Sequence, residues 1–275
     1  HPGVWVKTFL VDRLAEESGA LGLDLVVDTD AAAPVTLRVP CLHDGVRECE
    51  VVLAEGDPGA AYAQRPVPSS SARDSFRTQG AALLETLPAP ALRRHFEGFC
   101  DALDKAVGSA AHLGELMTAA RRGYEAPAGT RYLEVLASEQ SRLPSFRAFA
   151  AMVLADAPRF RAVMNEALAA YRLRTGARSA AQPFPDLSEE HGRTEAPFWL
   201  LADGRRRAVS VDASGVLHAG AEPVAALGVT QQSALGALEA ADLLLVPRAL
   251  TLTLFQRLFV ADLFVHGTGG GRYDR

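Results

Sequence analysis

Asp242 to Asp274 reads DLLLVPRALTLTLFQRLFVADLFVHGTGGGRYD. Two apolar runs flank a helical segment, and the pattern predicts strands over 243–247 and 261–265 with a helix over 250–259 between them. A glycine loop over 267–271 follows. A glycine loop straight after a buried strand is how an α/β protein brings bare backbone up to a ligand. Gly267, Gly269, Gly270 and Gly271 can present backbone N–H groups to a phosphate or carboxylate, or the loop is a tight turn packed closely. His266 beside them is a candidate acid or base. Arg248, just after the first run, can pair with a phosphate or carboxylate. Gln256 is polar on an otherwise apolar helix and lies either at the surface or in a pocket.

The loop has neither the Gly-x-Gly-x-x-Gly spacing nor the Gly-Lys-Ser/Thr ending of the two nucleotide fingerprints. Its His-Gly-x-Gly-Gly order is similar to the oxyanion loop of lipases and esterases. The Gly-x-Ser-x-Gly nucleophile pentapeptide of that fold does not occur in the chain, which weighs against it.

Upstream, 4–17 reads as a helix and 23–27 as a strand buried on both faces, ending in Asp28-Thr29-Asp30. Alternate residues of an extended chain point the same way, so Asp28 and Asp30 can face one pocket and hold Mg²⁺ or a substrate amine. Loop solvation and helix capping explain them equally. The segments 35–39 and 49–53 suggest a hairpin around His43-Asp44-Gly45. The Gly/Pro/Ser-rich stretch 55–71 reads as a linker. Helices are expected at 72–87, 91–107, 109–122, 130–139, 145–155 and 158–174, with Pro88, Pro90, Pro127, Pro144 and Pro158 at their boundaries. After a Pro-rich connection, Glu195-Ala196-Pro197-Phe198-Trp199 opens a hairpin. Asp203-Gly204 makes its turn, and Arg205 to Arg207 form a solvated tip. Glu195 and Trp199 either line a pocket or pack their hairpin on the core. A second turn falls at 212–215 and a helix at 231–240.

The composition is that of a soluble protein: 275 residues, 48% hydrophobic and 22% charged, with a net charge of -5. That balance argues against a nucleic-acid partner, since phosphate binding needs a concentrated basic face. No apolar run is long enough to span a membrane. Cys41, Cys49 and Cys100 form no Cys-x-x-Cys pair. Cys41 and Cys49 flank the hairpin and can face each other, but reduced thiols in a cytoplasmic protein are the expectation. The chain starts at His1 and stops after a glycine loop where a helix should begin, so both ends read as cut.

Two segments together resemble a known family, the cysteine-adding enzymes of bacillithiol biosynthesis. Val246-Pro247-Arg248, Leu252 to Leu258, Asp262 to Val265, Gly269-Gly270-Gly271 and Tyr273 resemble that family's last core motif. Pro2-Gly3, Lys7, Leu14-Ala15 and Asp28-Thr29-Asp30 are similar to its first. Departures are Arg272 or Gly271 in place of a glutamate, and Thr29 in place of a histidine. The same motifs, with His266 and Glu195 to Trp199, also look like an uncharacterised bacterial group, remote relatives of these ligases.

The resemblance implies a Rossmann-like parallel-sheet core and a ligase-like reaction joining an amino acid to an amino sugar, with a nucleotide site for ATP or ADP and Mg²⁺. The expected architecture is therefore an α/β Rossmann-like core over 1–66 and 177–275 with an all-helical insertion over 70–176. The expected function is a ligase or transferase on a small polar or phosphorylated metabolite, with a non-catalytic binding protein as the alternative. His266, Asp28 and Asp30 are the expected catalytic set. Arg248, Gly267, Gly269, Gly270, Gly271, His1, Glu195 and Trp199 are the expected substrate-binding set.

Overall fold

The structure, a computed structural model, describes residues 2–42, 45–177, 179 and 184–267. Its elements in order are helix α1 (Pro2–Ser18), strands β1 (Leu23–Val26), β2 (Ala31–Ala32), β3 (Val35–Leu42), β4 (Val46–Ala54) and β5 (Asp57–Ala61), helices α2 (Ser70–Glu85), α3 (Pro90–Ala106) and α4 (Leu113–Glu125), and strand β6 (Leu133–Leu136). Helices α5 (Ala137–Gln140), α6 (Pro144–Ala155) and α7 (Ala157–Thr175) come next. They are followed by strands β7 (Glu189–Glu190), β8 (Arg193–Ala202), β9 (Arg205–Asp212), β10 (Val216–Ala219) and β11 (Glu222–Ala226), helix α8 (Gln231–Ala240), strand β12 (Leu245–Pro247) and helix α9 (Ala249–Phe259). The fold is mixed α/β. The chain divides into a terminal unit, 1–24 with 137–275, and a middle unit, 25–136. The helices expected as one block are shared: α2 to α4 lie in the middle unit, α5 to α7 in the terminal one.

Local chemistry sets most boundaries. Pro90, Pro144 and Pro158 sit in the first turns of α3, α6 and α7, where a missing N–H costs nothing. Asp156 caps α7, and Gly176 ends it at φ 67°. His191-Gly192 and Asp203-Gly204 all take positive φ, as two-residue type I′ hairpin turns require. They join β7 to β8 and β8 to β9.

In the terminal unit the strands form a six-stranded antiparallel sheet, in order β11-β10-β9-β8-β12 with β7 also on β8. One face carries Ala196, Phe198, Leu200, Val209, Val211, Leu217 and Ala219 into a core closed by α6, α8 and α9. Phe146 is its centre, with ring centroids 5.1 Å from Phe255 and 6.2 Å from Phe198. Edge-to-face pairs of this kind add about 1 kcal/mol each beyond burial.

In the middle unit the β3–β4 hairpin packs on α2, α3 and α4 through Val39, Val51, Leu53, Phe76, Phe96, Leu103 and Leu116. Gly80 lets α2 approach α3, since a Cβ there would strike the Phe96 ring. Strands β1 and β6 form a small parallel sheet. The loop leading to β6 is tied to α4 by a buried network. Tyr132 Oη donates to Glu125 (2.6 Å), Arg121 donates to both, and the Arg122 guanidinium lies over the Tyr132 ring at 4.1 Å.

Several expectations are corrected. The run 261–265 is not a strand, because Asp262 and Leu263 are exposed and the segment has no partner strand among the described residues. Strand β12 runs antiparallel to β8, so no parallel pair surrounds α9. The run 23–27 is not buried on both faces: Leu23 and Val27 are exposed. Residues 130–139 form β6 and the start of α5 rather than one helix. The supposed linker contains β5, paired with β2, with Ala60 and Ala61 buried. Cys41 and Cys49 are bonded to each other rather than reduced, and Cys100 is free and buried. Burial pushes the Cys100 thiol up to about 11, which makes it inert.

The Cys41–Cys49 bond closes a loop of sequence separation 8, for which chain entropy predicts about 2.5 kcal/mol of stabilisation. Cys49→Ser should lower the stability of the middle unit by about that amount, read by urea melts without reductant. Reductant should move the wild type but not the variant.

Candidate functional site

The site begins with Pro197. It lacks an N–H, so a position inside a central strand is tolerated only at a bulge. The β8–β9 register accordingly jumps from Ala196↔Val209 to Trp199↔Ala208, leaving Pro197 and Phe198 without partners on β9. Alternation survives the bulge. Phe198 enters the core, while Glu195 and Trp199 share the opposite, outer face. On the other side of β8, the Pro197 carbonyl accepts from the Arg248 N–H at 3.0 Å.

Arg248 is thereby fixed at the end of β12, and its side chain lies along the same outer face. Nη1 donates to Glu195 Oε1 at 2.6 Å, and the guanidinium sits 4.3 Å from the Trp199 ring centroid. The Arg206 guanidinium, from the hairpin tip, lies 4.7 Å from that centroid. Glu195 Oε2 accepts from the Ser188 N–H (2.9 Å) and hydroxyl (3.1 Å). Burial alone would raise the Glu195 pKa, but the Ser188 and Arg248 donors outweigh it and hold it below the ordinary range.

Arg248 is only 6% exposed, and its Nε and Nη2 are buried without a partner among the described residues. Thr251 Oγ1, one turn into α9, is buried and unpartnered as well. No side chain caps α9 at Arg248. Further along α9, Gln256 is buried and pairs reciprocally with Gln140 of α5. The Glu195–Arg248 contact spans 53 positions of sequence, so no local motif could signal it. The sequence cue was Glu195, a carboxylate four residues before Trp199 at the head of an apolar run.

The other expected residues lie elsewhere. Asp28 and Asp30 belong to the middle unit. Asp28 is buried and Asp30 exposed, since the chain turns there and alternation no longer applies. Asp28 packs against the first turn of α4, where a Cβ on Gly114 would come within 2.9 Å of its own. A carboxylate near a helix N-terminus is a stabilising arrangement. The pair therefore does not present two carboxylates to one Mg²⁺. Among the described residues no group of three His, Cys, Asp or Glu is placed to hold a metal ion.

His266 lies in coil against Phe264, with Nδ1 3.1 Å from the Gly267 carbonyl. A Cβ on Gly267 would meet nothing within 4 Å, so no described neighbour demands a glycine there. His1, Gly269, Gly270 and Gly271 lie outside the described residues. No helix among the described residues is long and apolar enough to cross a membrane.

A scan against protein-family models finds none that matches the chain, and a search of curated proteins finds no match.

Because the folded-state pKa of Glu195 is lowered, its pairing stabilises above the unfolded carboxyl value of about 4.3 and is lost as pH falls through the folded value. The melting temperature should fall as pH drops from about 5 towards 3, and fall less steeply in Glu195→Gln. At neutral pH Arg248→Met should cost about 3 kcal/mol, because it leaves a half-buried carboxylate without its cation. The double variant Glu195→Gln/Arg248→Met should recover most of that loss in chemical denaturation.

Proposed function

We propose that the terminal unit binds a small polar or phosphorylated metabolite by an anionic group seated on Arg248, and that the protein is a ligase or transferase. The observation that carries this reading is the buried guanidinium with Nη1 committed to Glu195 and with Nε and Nη2 unpartnered. Those two N–H groups point the same way in one plane, the geometry that carboxylate and phosphate accept bidentately. Leaving buried donors unpaired costs about 1–3 kcal/mol each, a cost that an anion would remove. The α9 N-terminus and the Thr251 hydroxyl add donors and positive potential on the same turn. Glu195 acts through Arg248 as a positioning residue, and Trp199 is its aromatic floor.

The joining of an amino acid to an amino sugar with ATP, and a Rossmann-like ancestry for the core, belong to the same proposal. Their support is the motif resemblance at Val246-Pro247-Arg248 and at Asp28-Thr29-Asp30. The acidic pair does not fit a Mg²⁺ site, so no step is assigned to that ion. The Cys41–Cys49 bond favours an oxidising compartment over the cytoplasmic location expected from sequence. A second reading, a non-catalytic binding protein, draws on Glu195: the carboxylate beside Arg248 is fully engaged and unsuited to act as a base.

Scanning fluorimetry with inorganic phosphate, a hexose phosphate, an amino acid and ATP tests the anion site. At a concentration a hundredfold above Kd, a ligand should stabilise by about 2.7 kcal/mol. Arg248→Lys should bind at least tenfold more weakly, and Glu195→Gln/Arg248→Met should not respond. No response from the wild type, or an equal one from the double variant, would overturn the assignment. Binding without turnover when ATP and amino acid are supplied would select the non-catalytic reading.

A further inference from the structure

The outer face of the six-stranded sheet carries a second polar group that the Arg248 reading does not use. Val209, Val211, Leu217 and Ala219 face the core, so Ser210 and His218 project to the other side. The register pairs Ser210 with His218 on β10 and with Glu195 on β8. Cross-strand neighbours on one face have Cβ atoms about 5 Å apart. Asp212, two residues beyond Ser210, shares this face, and its Oδ2 lies 2.8 Å from His218 Nε2. We propose that Ser210, His218 and Asp212 form a nucleophile, a base and an orienting carboxylate for acyl transfer.

Three observations support the roles. The Asp212 contact assigns the imidazole proton to Nε2, which leaves the lone pair on Nδ1. His218 is 7% exposed, and Nδ1 is buried with no partner among the described residues. A buried ring nitrogen left unpaired calls for an explanation; the Ser210 hydroxyl across the strand pair is not bonded to it in this structure, and nucleophile–base bonds often tighten only when substrate binds.

Asp212 is itself immobilised. Its Oδ1 accepts from the Ser214 hydroxyl (2.6 Å), the Ser214 N–H (2.9 Å) and the Val216 N–H (3.0 Å). The Ser214 and His218 bonds hold its pKa well below the carboxylate range, so it stays ionised. Arg193, on β8, donates through Nη1 to the Gly220 carbonyl (3.1 Å); in the proposal its positive charge serves the tetrahedral oxyanion.

In the step, Ser210 Oγ attacks an acyl carbonyl carbon, and its proton passes to His218 Nδ1 as the Oγ–C bond forms. The bond to the leaving group then breaks, and the leaving group departs with the electron pair and the proton from His218. Water repeats the sequence on the acyl-serine, releasing the acid and restoring Ser210. The proposal is independent of the anion site at Arg248.

Two probes test it on the full chain: p-nitrophenyl acetate and a fluorophosphonate. The fluorophosphonate would lose fluoride and leave a stable phosphonyl group on Ser210 Oγ. The expected result is a burst of nitrophenolate, and an adduct mass on the peptide holding Ser210 that is absent from Ser210→Ala. His218→Gln should slow acylation by about 10²–10⁴-fold, with circular dichroism reporting whether the variant is folded. Ser210→Ala, a loss of one half-buried hydroxyl, serves as the folded control. No adduct on the wild type, or labelling that survives Ser210→Ala, would overturn the triad. A purely structural Asp212–His218 clamp would lower the melting temperature in His218→Gln with no acylation in any form of the protein.

Discussion

The terminal unit depends on a proline that cannot donate. Pro197 sits in β8, a strand with neighbours on both sides, and forces the β9 ladder to skip two residues. On the opposite edge its carbonyl is still available, and the Arg248 N–H takes it at 3.0 Å. The same residue therefore breaks one ladder and anchors the next. Because the skip is of two residues, the two faces are not exchanged. Phe198 stays with Phe146 in the core, and Trp199 stays beneath Arg248. A skip of one would have put Trp199 into the aromatic cluster and left Arg248 without its floor.

That geometry also explains why a charged pair can be buried here at all. Arg248 and Glu195 lose much of their hydration, a loss that Coulomb attraction seldom recovers by itself. Glu195 recovers it through three donors. Arg248 recovers only part, through one hydrogen bond and a cation–π contact of about 1–2 kcal/mol. The two ends of the ion pair are thus unequal: the carboxylate is satisfied, and the guanidinium is not. Arg65, Arg147, Arg161 and Arg207 are also ion-paired with a buried Nε that lacks a partner among the described residues, but at Arg248 Nη2 is unpartnered as well. In the middle unit, by contrast, Arg121, Glu125 and Tyr132 bond one another.

Local chemistry was legible in the sequence, and pairing was not. Pro90, Pro144 and Pro158 at helix starts, the Asp156 cap, the Gly176 stop and the Asp203-Gly204 turn each act within a few residues, and each appears where the sequence places it. An apolar run carries no such information about its partner. LLLVP and LFV look alike, yet β12 found an antiparallel place beside β8 while 261–265 found none among the described residues. Asp28 and Asp30 failed as a pair for a related reason. The alternation argument assumes an extended chain, and the chain turns at Asp28. Arg248, Glu195 and Trp199 were each suspected singly, but their meeting depends on a bulge that only the register reveals.

The division of labour across the outer face follows from proton affinity. A general base working near neutral pH needs a pKa close to 7. Every contact of Glu195 except burial moves it the other way, and Ser214 and His218 hold Asp212 well below the carboxylate range. Neither carboxylate can take a proton efficiently at neutral pH. Both can hold a cationic or N–H partner in place, Arg248 for one and His218 for the other. The face thus has two fixed anions whose effect is to orient, and an imidazole, His218, held by one of them. Proton transfer on this surface is proposed for His218, and charge recognition for Arg248. These two partners lie on the strands flanking β8 and β9, so a ligand touching both must extend across the sheet rather than along a strand.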